Sequence, residues 1–222
     1  MGHDDFNVSY IGQRPDIEKL IPAGTKTVLD IGCSTGVLGA AIKAKTGARI
    51  VGIEISKEMA DVAAGRIDEV FVGDATEIVQ SGKLNDYQFD AIVFADVLEH
   101  LVDPWTTLRV AATRLTPGGF IIASIPNIRH VNTIYNLAIK GNWPYRDRGI
   151  HDRTHLRFFT KRNIAELFES AGLSIDKVET NYRLVERPHR INRIAAYFAW
   201  PGIKNFLAFQ YLVRARLSLP LA

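Results

Sequence analysis

Three carboxylates stand where apolar runs of this sequence stop. They are Asp30 in Val28-Leu29-Asp30-Ile31-Gly32, Glu54 in Val51-Gly52-Ile53-Glu54, and Asp74 in Gly73-Asp74-Ala75. An acid at the end of a strand can accept hydrogen bonds from both hydroxyls of a ribose. Another in the same position can accept from an exocyclic amine such as that of adenine. Asp30 leads into the glycine-rich turn Gly32-Cys33-Ser34-Thr35-Gly36, where it would repel a pyrophosphate and suit a cationic or amino-bearing ligand. The turn lacks dinucleotide spacing, because Cys33 and Ser34 stand where a second glycine belongs, and no Gly-Lys-Ser/Thr follows as in a P-loop. The three acids together fit an adenosine ligand without phosphates. The glycines alone fit an ordinary strand-to-helix turn equally well.

A second set of chemistry-bearing residues lies in the later half. Arg129, Arg146, Arg148, Arg153, Arg157, Lys161 and Arg162 are relieved only by Asp147 and Asp152 before Glu166. Guanidinium groups fork onto phosphate or carboxylate, so the run reads either as recognition of an anionic acceptor or as a solvated basic face. Trp143 and Tyr145 lie within it, placed to stack on a ligand or to pack. His100, His130, His151, His155 and His189 are each a candidate general base or a structural histidine.

The elements that position these residues alternate. Strands are expected at residues 27–31, 49–54, 69–72, 89–95 and 120–125, with helices at 37–45, 57–66 and 104–115. Near-continuous apolar strands separated by helices predict a parallel sheet covered on both faces, hence a doubly wound α/β fold. Further on, the pattern predicts a helix at 131–140 and a long polar connection at 141–157. A helix at 161–171 follows, with Thr160 as N-cap and Gly172 as stop, then strands at 173–182 and 206–216. Residues 193–200 carry apolar side chains at helical spacing, suited to core packing, a dimer face or a membrane surface.

Taken in order, these segments resemble the class I S-adenosylmethionine-dependent methyltransferases. Residues 28–36 resemble the family's first motif with Ser34 in place of its middle glycine, and residues 51–54 resemble the ribose-binding motif. Gly73-Asp74-Ala75 resembles the adenine-contacting motif, residues 89–100 the fourth-strand motif, and residues 115–119 the turn into the fifth strand. The resemblance implies a Rossmann-like sheet of seven strands, mostly parallel with the last antiparallel. The whole chain would form one domain, with an acceptor-side insertion at about residues 128–160. It implies S-adenosylmethionine as cofactor, leaving as S-adenosylhomocysteine, held by Tyr10, Arg14, Asp30, Gly32, Cys33, Gly36, Glu54, Ile55, Asp74, Ala75, Ala95, Asp96 and Val97. Arg14 is the candidate partner for the donor carboxylate. Residues 141–145 and 152–160 further resemble a bacterial subgroup working beside glycosyltransferases of surface-polysaccharide assembly.

Methyl transfer to a hydroxyl profits from a base, and the candidates rank His155, then His151, then His100. His155 leads because it lies between the basic insertion and the next helix, with Leu156 and Phe158 beside it. Trp143, Tyr145, Arg153 and Arg157 are the expected acceptor contacts, the acceptor being a small-molecule or glycan-linked hydroxyl, anionic if the arginines meet it. No metal is expected. A homodimer or a glycosyltransferase is the candidate protein partner.

Composition sets the outer limits. The 222 residues are 47% hydrophobic and 23% charged, with 27 Lys and Arg against 24 Asp and Glu. A net charge of +3 is too small to argue for nucleic acid. One cysteine, Cys33, excludes an intrachain disulfide framework and points to the reducing cytoplasm. The opening residues carry Asp4 and Asp5 and no leader pattern, and no apolar run approaches the ~18 residues of a membrane span. Two other readings stay open: a donor-binding protein without turnover, and a nicotinamide-dependent short-chain oxidoreductase. The second wants a Tyr-x-x-x-Lys pair that the sequence lacks.

Overall fold

The computed structural model describes residues 12–185, 189–198, 200 and 202–218. Its centre is a seven-stranded sheet built from β1 (Thr27–Ile31), β2 (Arg49–Glu54), β3 (Glu69–Val72), β4 (Phe89–Ala95), β5 (Leu115–Pro126), β6 (Leu173–Tyr182) and β7 (Ala208–Leu217). The spatial order is β3-β2-β1-β4-β5-β7-β6. The first five strands pair in parallel, and β7 runs antiparallel to both β5 and β6. This is the mostly parallel, Rossmann-like sheet that the sequence predicts.

Alternation along the central strands explains why they read as continuous apolar runs. Leu29, Val51, Ile92, Phe94 and Ile121 enter the core on one face, while Val28, Ile50, Ala91, Val93 and Ile122 enter the core on the other. Both faces are covered, so neither alternate set can be polar. The helices are α1 (Pro15–Glu18), α2 (Val37–Thr46), α3 (Lys57–Ala63), α4 (Ala75–Gln80), α5 (Pro104–Ala112), α6 (Val131–Ile134), α7 (Lys161–Ser170) and α8 (Lys204–Leu207). Thr160 caps α7 through a reciprocal bond set with Asn163.

Several boundaries differ from expectation for local reasons. The helix expected to reach residue 115 stops at Ala112, because Leu115 pairs with Phe89 and opens β5. A register shift between Phe89 and Ala91 absorbs the extra residues around Pro117, and Gly118 adopts a φ of +84° there. The helix expected at 131–140 is one α-turn followed by a π-helical turn, Tyr135–Ile139. Of the stretch 193–200, residues 193–198 lie within a 3₁₀ segment, Arg190–Phe198, and residue 199 lies outside the described residues. Helix α4 was not expected from the sequence, because it has too few residues to show a period; Asp74 caps it. No helix among the described residues is long and apolar enough to cross a membrane.

Candidate active site

The strand order reverses between β1 and β4, and in open parallel sheets the ligand crevice lies at the carboxyl ends beside such a switch. Loop 32–36 crosses that edge folded onto itself. The Gly32 and Cys33 amides both donate to the Ile53 carbonyl, at 2.8 and 3.0 Å, and the Gly36 amide donates to the Cys33 carbonyl at 2.8 Å. The Ser34 amide donates to Glu54 Oε2 at 2.8 Å. These four amides are engaged internally, so the loop is no phosphate cradle in this conformation. Gly32 and Gly36 have φ of +72° and +76°. A Cβ on Gly32 would stand 2.6 Å from Val97 Cγ2, so only bare backbone fits. Cys33 buries its side chain against Gly52, and burial with the Asp30 and Glu54 charges pushes its thiol pKa up. Cys33 therefore contributes backbone to the crevice and no reactive sulfur.

Asp30 is 1% exposed, and both its carboxylate oxygens lack a hydrogen-bond partner. Burial, then the Glu54 charge, push its carboxyl pKa up to about 7, against a smaller pull from Arg14. An orphaned buried acceptor of this kind is a standing demand for a donor or a cation. Glu54, also buried, joins two loops: Oε2 takes Ser34 and Oε1 takes the Ser56 amide at 2.9 Å. Each oxygen keeps a lone pair for a hydroxyl. Ile55 beside it is exposed. Asp74 Oδ1 caps α4 through the Glu77 amide at 3.0 Å, and Ala75 opens that helix.

Asp96 follows Ala95 at the end of β4 with a φ of +58°, a left-handed conformation uncommon outside glycine. Its amide meets Ser124 Oγ at 3.1 Å, and its carboxylate accepts from Ser124 Oγ at 3.0 Å, from Gln210 Nε2 and from Arg14 Nη1. Arg14 also pairs with Asp16 at 3.0 Å. Asn181 Nδ2 closes the ring, donating to Asp16 at 3.1 Å and to Gln210 Oε1 at 3.2 Å. Arg14 thus lies at the expected edge, already paired with two carboxylates. Asn181 and Gln210 were missed by sequence reasoning; no local signal marks them, because they arrive from β6 and β7. Tyr10 lies outside the described residues.

The acceptor-side histidines divide. His100 and His155 meet edge to face with ring centroids 4.6 Å apart. The His155 side chain is 6% exposed, with Nδ1 3.3 Å from the Ile150 carbonyl and Nε2 4.0 Å from Glu99 Oε1. Burial, then the neighbouring His100, lower its pKa. His100 is half-buried, and its Nδ1 sits 3.1 Å from Thr154 Oγ1. Glu99 is 1% exposed, neither of its carboxylate oxygens has a hydrogen-bond partner, and burial with the Asp96 charge raises its pKa. Its carbonyl accepts the amides of Leu156 and Arg157, each at 2.9 Å, which draws the 155–157 segment over β4. Glu99, His100 and His155 offer ligand atoms within 4.8 Å of one another, a set able to hold a metal ion. Sequence reasoning did not single out Glu99; the signal that could have found it is an acid-histidine pair, Glu99-His100, four residues beyond the end of the apolar β4.

His151 is buried apart from this pair, its ring 5.0 Å from that of Trp143. Trp143 also packs on Phe158 at 5.2 Å, so it supports the insertion from within. Arg157 donates Nε to the Val102 carbonyl at 3.1 Å and lies over Trp105. Arg153 pairs with Asp147, and Tyr145 is exposed to solvent. His130 is buried with Nε2 2.9 Å from the Arg183 carbonyl, and His189 Nδ1 accepts from the Ile191 amide at 3.1 Å.

Residues 13–178 match the profile of a family described as a methyltransferase domain. The chain belongs to that family. A ubiquinone biosynthesis O-methyltransferase of Aeromonas salmonicida is 31% identical over 157 residues, covering 68% of this chain and 63% of that protein. One of the same description from Hydrogenovibrio crunogenus is 26% identical over 206 residues, covering 86% and 80%. The chain thus spans less than two thirds of the length of the first relatives it matches. A SAM-dependent methyltransferase from Archaeoglobus fulgidus shares the fold at a TM-score of 0.62 and 21% identity, over 95% of this chain and 97% of that one. The methyltransferase sheet order places Asp30, Glu54, Asp74 and Asp96 along one edge, at the ends of β1 to β4.

Proposed function

We propose that this methyltransferase uses S-adenosylmethionine to methylate a hydroxyl of a small-molecule or glycan-linked acceptor in the cytoplasm. The observation that carries the reading is Asp30, buried and orphaned beside a loop with four of its five amides engaged within the chain. A donor with an amino group and a sulfonium, and without phosphates, suits that environment. Glu54 is assigned to the ribose hydroxyls, Asp74 to the adenine side, and Asp96 with Arg14 to the methionine end. The O-methyltransferase names of the relatives support oxygen as the methylated atom. The link to glycosyltransferases and polysaccharide assembly rests on the resemblance of residues 141–160 alone.

The bound donor supplies a methyl group already activated by the sulfonium, so the chain's task is alignment, exclusion of water and removal of one proton. His100 is the better base. His155 has Nδ1 against the Ile150 carbonyl and Nε2 facing Glu99, so both ring nitrogens are enclosed, whereas His100 is anchored through Nδ1 by Thr154. His155, kept neutral by burial, backs the His100 ring without competing for its proton. The test pairs donor calorimetry with turnover. Wild-type protein is expected to bind S-adenosylmethionine and not NAD, and His100→Ala to lose roughly 10²–10⁴-fold in turnover with donor affinity kept. Full turnover in a folded His100→Ala protein would remove it as base, and NAD binding in place of the methionine derivative would overturn the donor assignment.

A further inference from the structure

A second cleft, of about 380 Å³, opens beyond the end of β5 and is lined by Asn127, Arg129, Lys161, Arg162, Asn205 and Tyr211, among others. Its lining carries three cations and no carboxylate. The Arg129 guanidinium lies 4.4 Å over the Phe206 ring, which fixes it without neutralising it. Arg162 pairs with Glu166 at 2.8 Å across a solvent-exposed turn of α7, while the Lys161 ammonium has no anionic partner among the described residues. The floor is rigid: Asn127, buried, donates to the carbonyls of Asn205 and Ala208 at 2.8 and 2.7 Å.

The charges at this cleft also run against local helix electrostatics. The ten-residue α7 has no acid in its first turn and instead carries Lys161 and Arg162 as its first two residues. Positive side chains at the positive end of the helix dipole raise each other's energy, and an anion between them reverses the sign. Many helices place an Asp or Glu in that turn; α7 has none there, and Glu166, one turn further on, engages Arg162 but not Lys161, which faces the open cleft.

We propose that this cleft binds the phosphate of a phosphorylated acceptor, which deepens the methyltransferase reading and rests on it. Ser124, which holds Asp96, lies three residues before Asn127 on the same chain. At the rise of an extended strand the two positions are about 10 Å apart. An acceptor anchored by its phosphate over Arg129 and Lys161 could therefore extend toward the donor's methionine end. Tyr211 and Ala165 give the cleft apolar wall for the organic part next to the phosphate.

The test titrates the full chain with glycerol phosphate and with inorganic phosphate at low ionic strength, and measures S-adenosylmethionine binding in parallel. Saturable phosphate binding is expected, weakened roughly tenfold or more in Arg129→Gln and in Lys161→Gln, with donor affinity unchanged. Lys161→Gln alters an exposed side chain and keeps the test valid should Arg129→Gln disturb packing on Phe206. Absence of saturable phosphate binding, or binding indifferent to both substitutions, overturns the proposal. Flotation with phosphatidylglycerol vesicles distinguishes the source: vesicle binding that needs Arg129 and Lys161, without binding of glycerol phosphate, makes the cleft a lipid-headgroup site and overturns the soluble acceptor. Normal phosphate binding with no donor binding would instead sink the methyltransferase reading and leave the anion site standing.

Discussion

Replacing Asp30 by Asn should make the protein lose ligand affinity and gain stability at high pH. The folded state holds the Asp30 carboxyl pKa at about 7 against an ordinary value of 3.8, chiefly through burial. Because the folded pKa lies above the unfolded one, the folded chain holds a proton that the unfolded chain releases. Stability attached to this group is therefore complete below pH ~4, falls as pH rises, and levels off above pH ~7, a total loss of about 4 kcal/mol. Between pH 5 and pH 8 about 3 kcal/mol of that change should remain measurable. The amide introduced by Asp30→Asn cannot ionise, so the stability difference between variant and wild type should move by about that amount in the variant's favour across the interval. Urea denaturation of both proteins at the two pH values reads this directly, and the double difference cancels the cost of burying the amide. The donor's positive charge should lower the Asp30 pKa, so binding at pH 6 should release a proton, seen as a calorimetric enthalpy that depends on the buffer. That buffer dependence should vanish in Asp30→Asn. Parallel pH profiles for the two proteins would refute the account of Asp30.

Substitutions at three further positions probe the rest of the crevice. Glu54→Gln turns one of two acceptor oxygens into a donor facing the Ser34 or Ser56 amide, and should cost about 1–3 kcal/mol in stability with a matching loss of donor affinity; thermal denaturation and calorimetry would reveal an indifferent Glu54. Ser34 sits at a φ of +50°, where an L-residue is strained, so Ser34→Gly should stabilise the fold by about 0.5–1 kcal/mol even after its entropy cost, and a lower midpoint in urea would contradict this. Gln210→Glu sets a second carboxylate against Asp96, and should lower both the melting temperature and donor affinity more than Gln210→Met, which keeps the approximate shape and removes the amide without adding a charge. Equal losses in the two variants would mean that Gln210 acts by packing alone.

The ends of β1 to β4 were legible because alternating burial on two faces leaves runs such as Ile92-Val93-Phe94 that no solvated element would tolerate. The acids at the strand ends stood out for a related reason, since a carboxylate that terminates such a run is conspicuous; the folded chain also gives Asp74 the cap of α4 and Glu54 the amides of two loops. Ser34 was readable only as a departure from a glycine, and its left-handed backbone explains why glycine is the usual residue there. The acceptor side was harder to read. Arg157 and Trp143 have the composition of a ligand surface, yet backbone and ring partners within the chain claim them. The ranking of His155 above His100 rests on sequence neighbours, whereas the contacts behind the proposed preference for His100, with Ile150 and Thr154, arise only in the folded chain. The Asn181–Gln210 pair depends on the register of two antiparallel strands, and no short window encodes it.

The placement of β7 between β5 and β6 has a consequence for how the protein is made. On a ribosome, β6 emerges before β7 and has no neighbour in the sheet until β7 follows it, so both β5 and β6 present unpaired backbone while translation continues. Gln210, which steadies Asp96, sits on that late strand and joins Asn181 only when the gap closes. A nascent chain that already holds β1 to β5 has the glycine loop and the acids, but an Asp96 without its full set of donors. Closure of the sheet and completion of the Asp96 hydrogen-bond set are then one event.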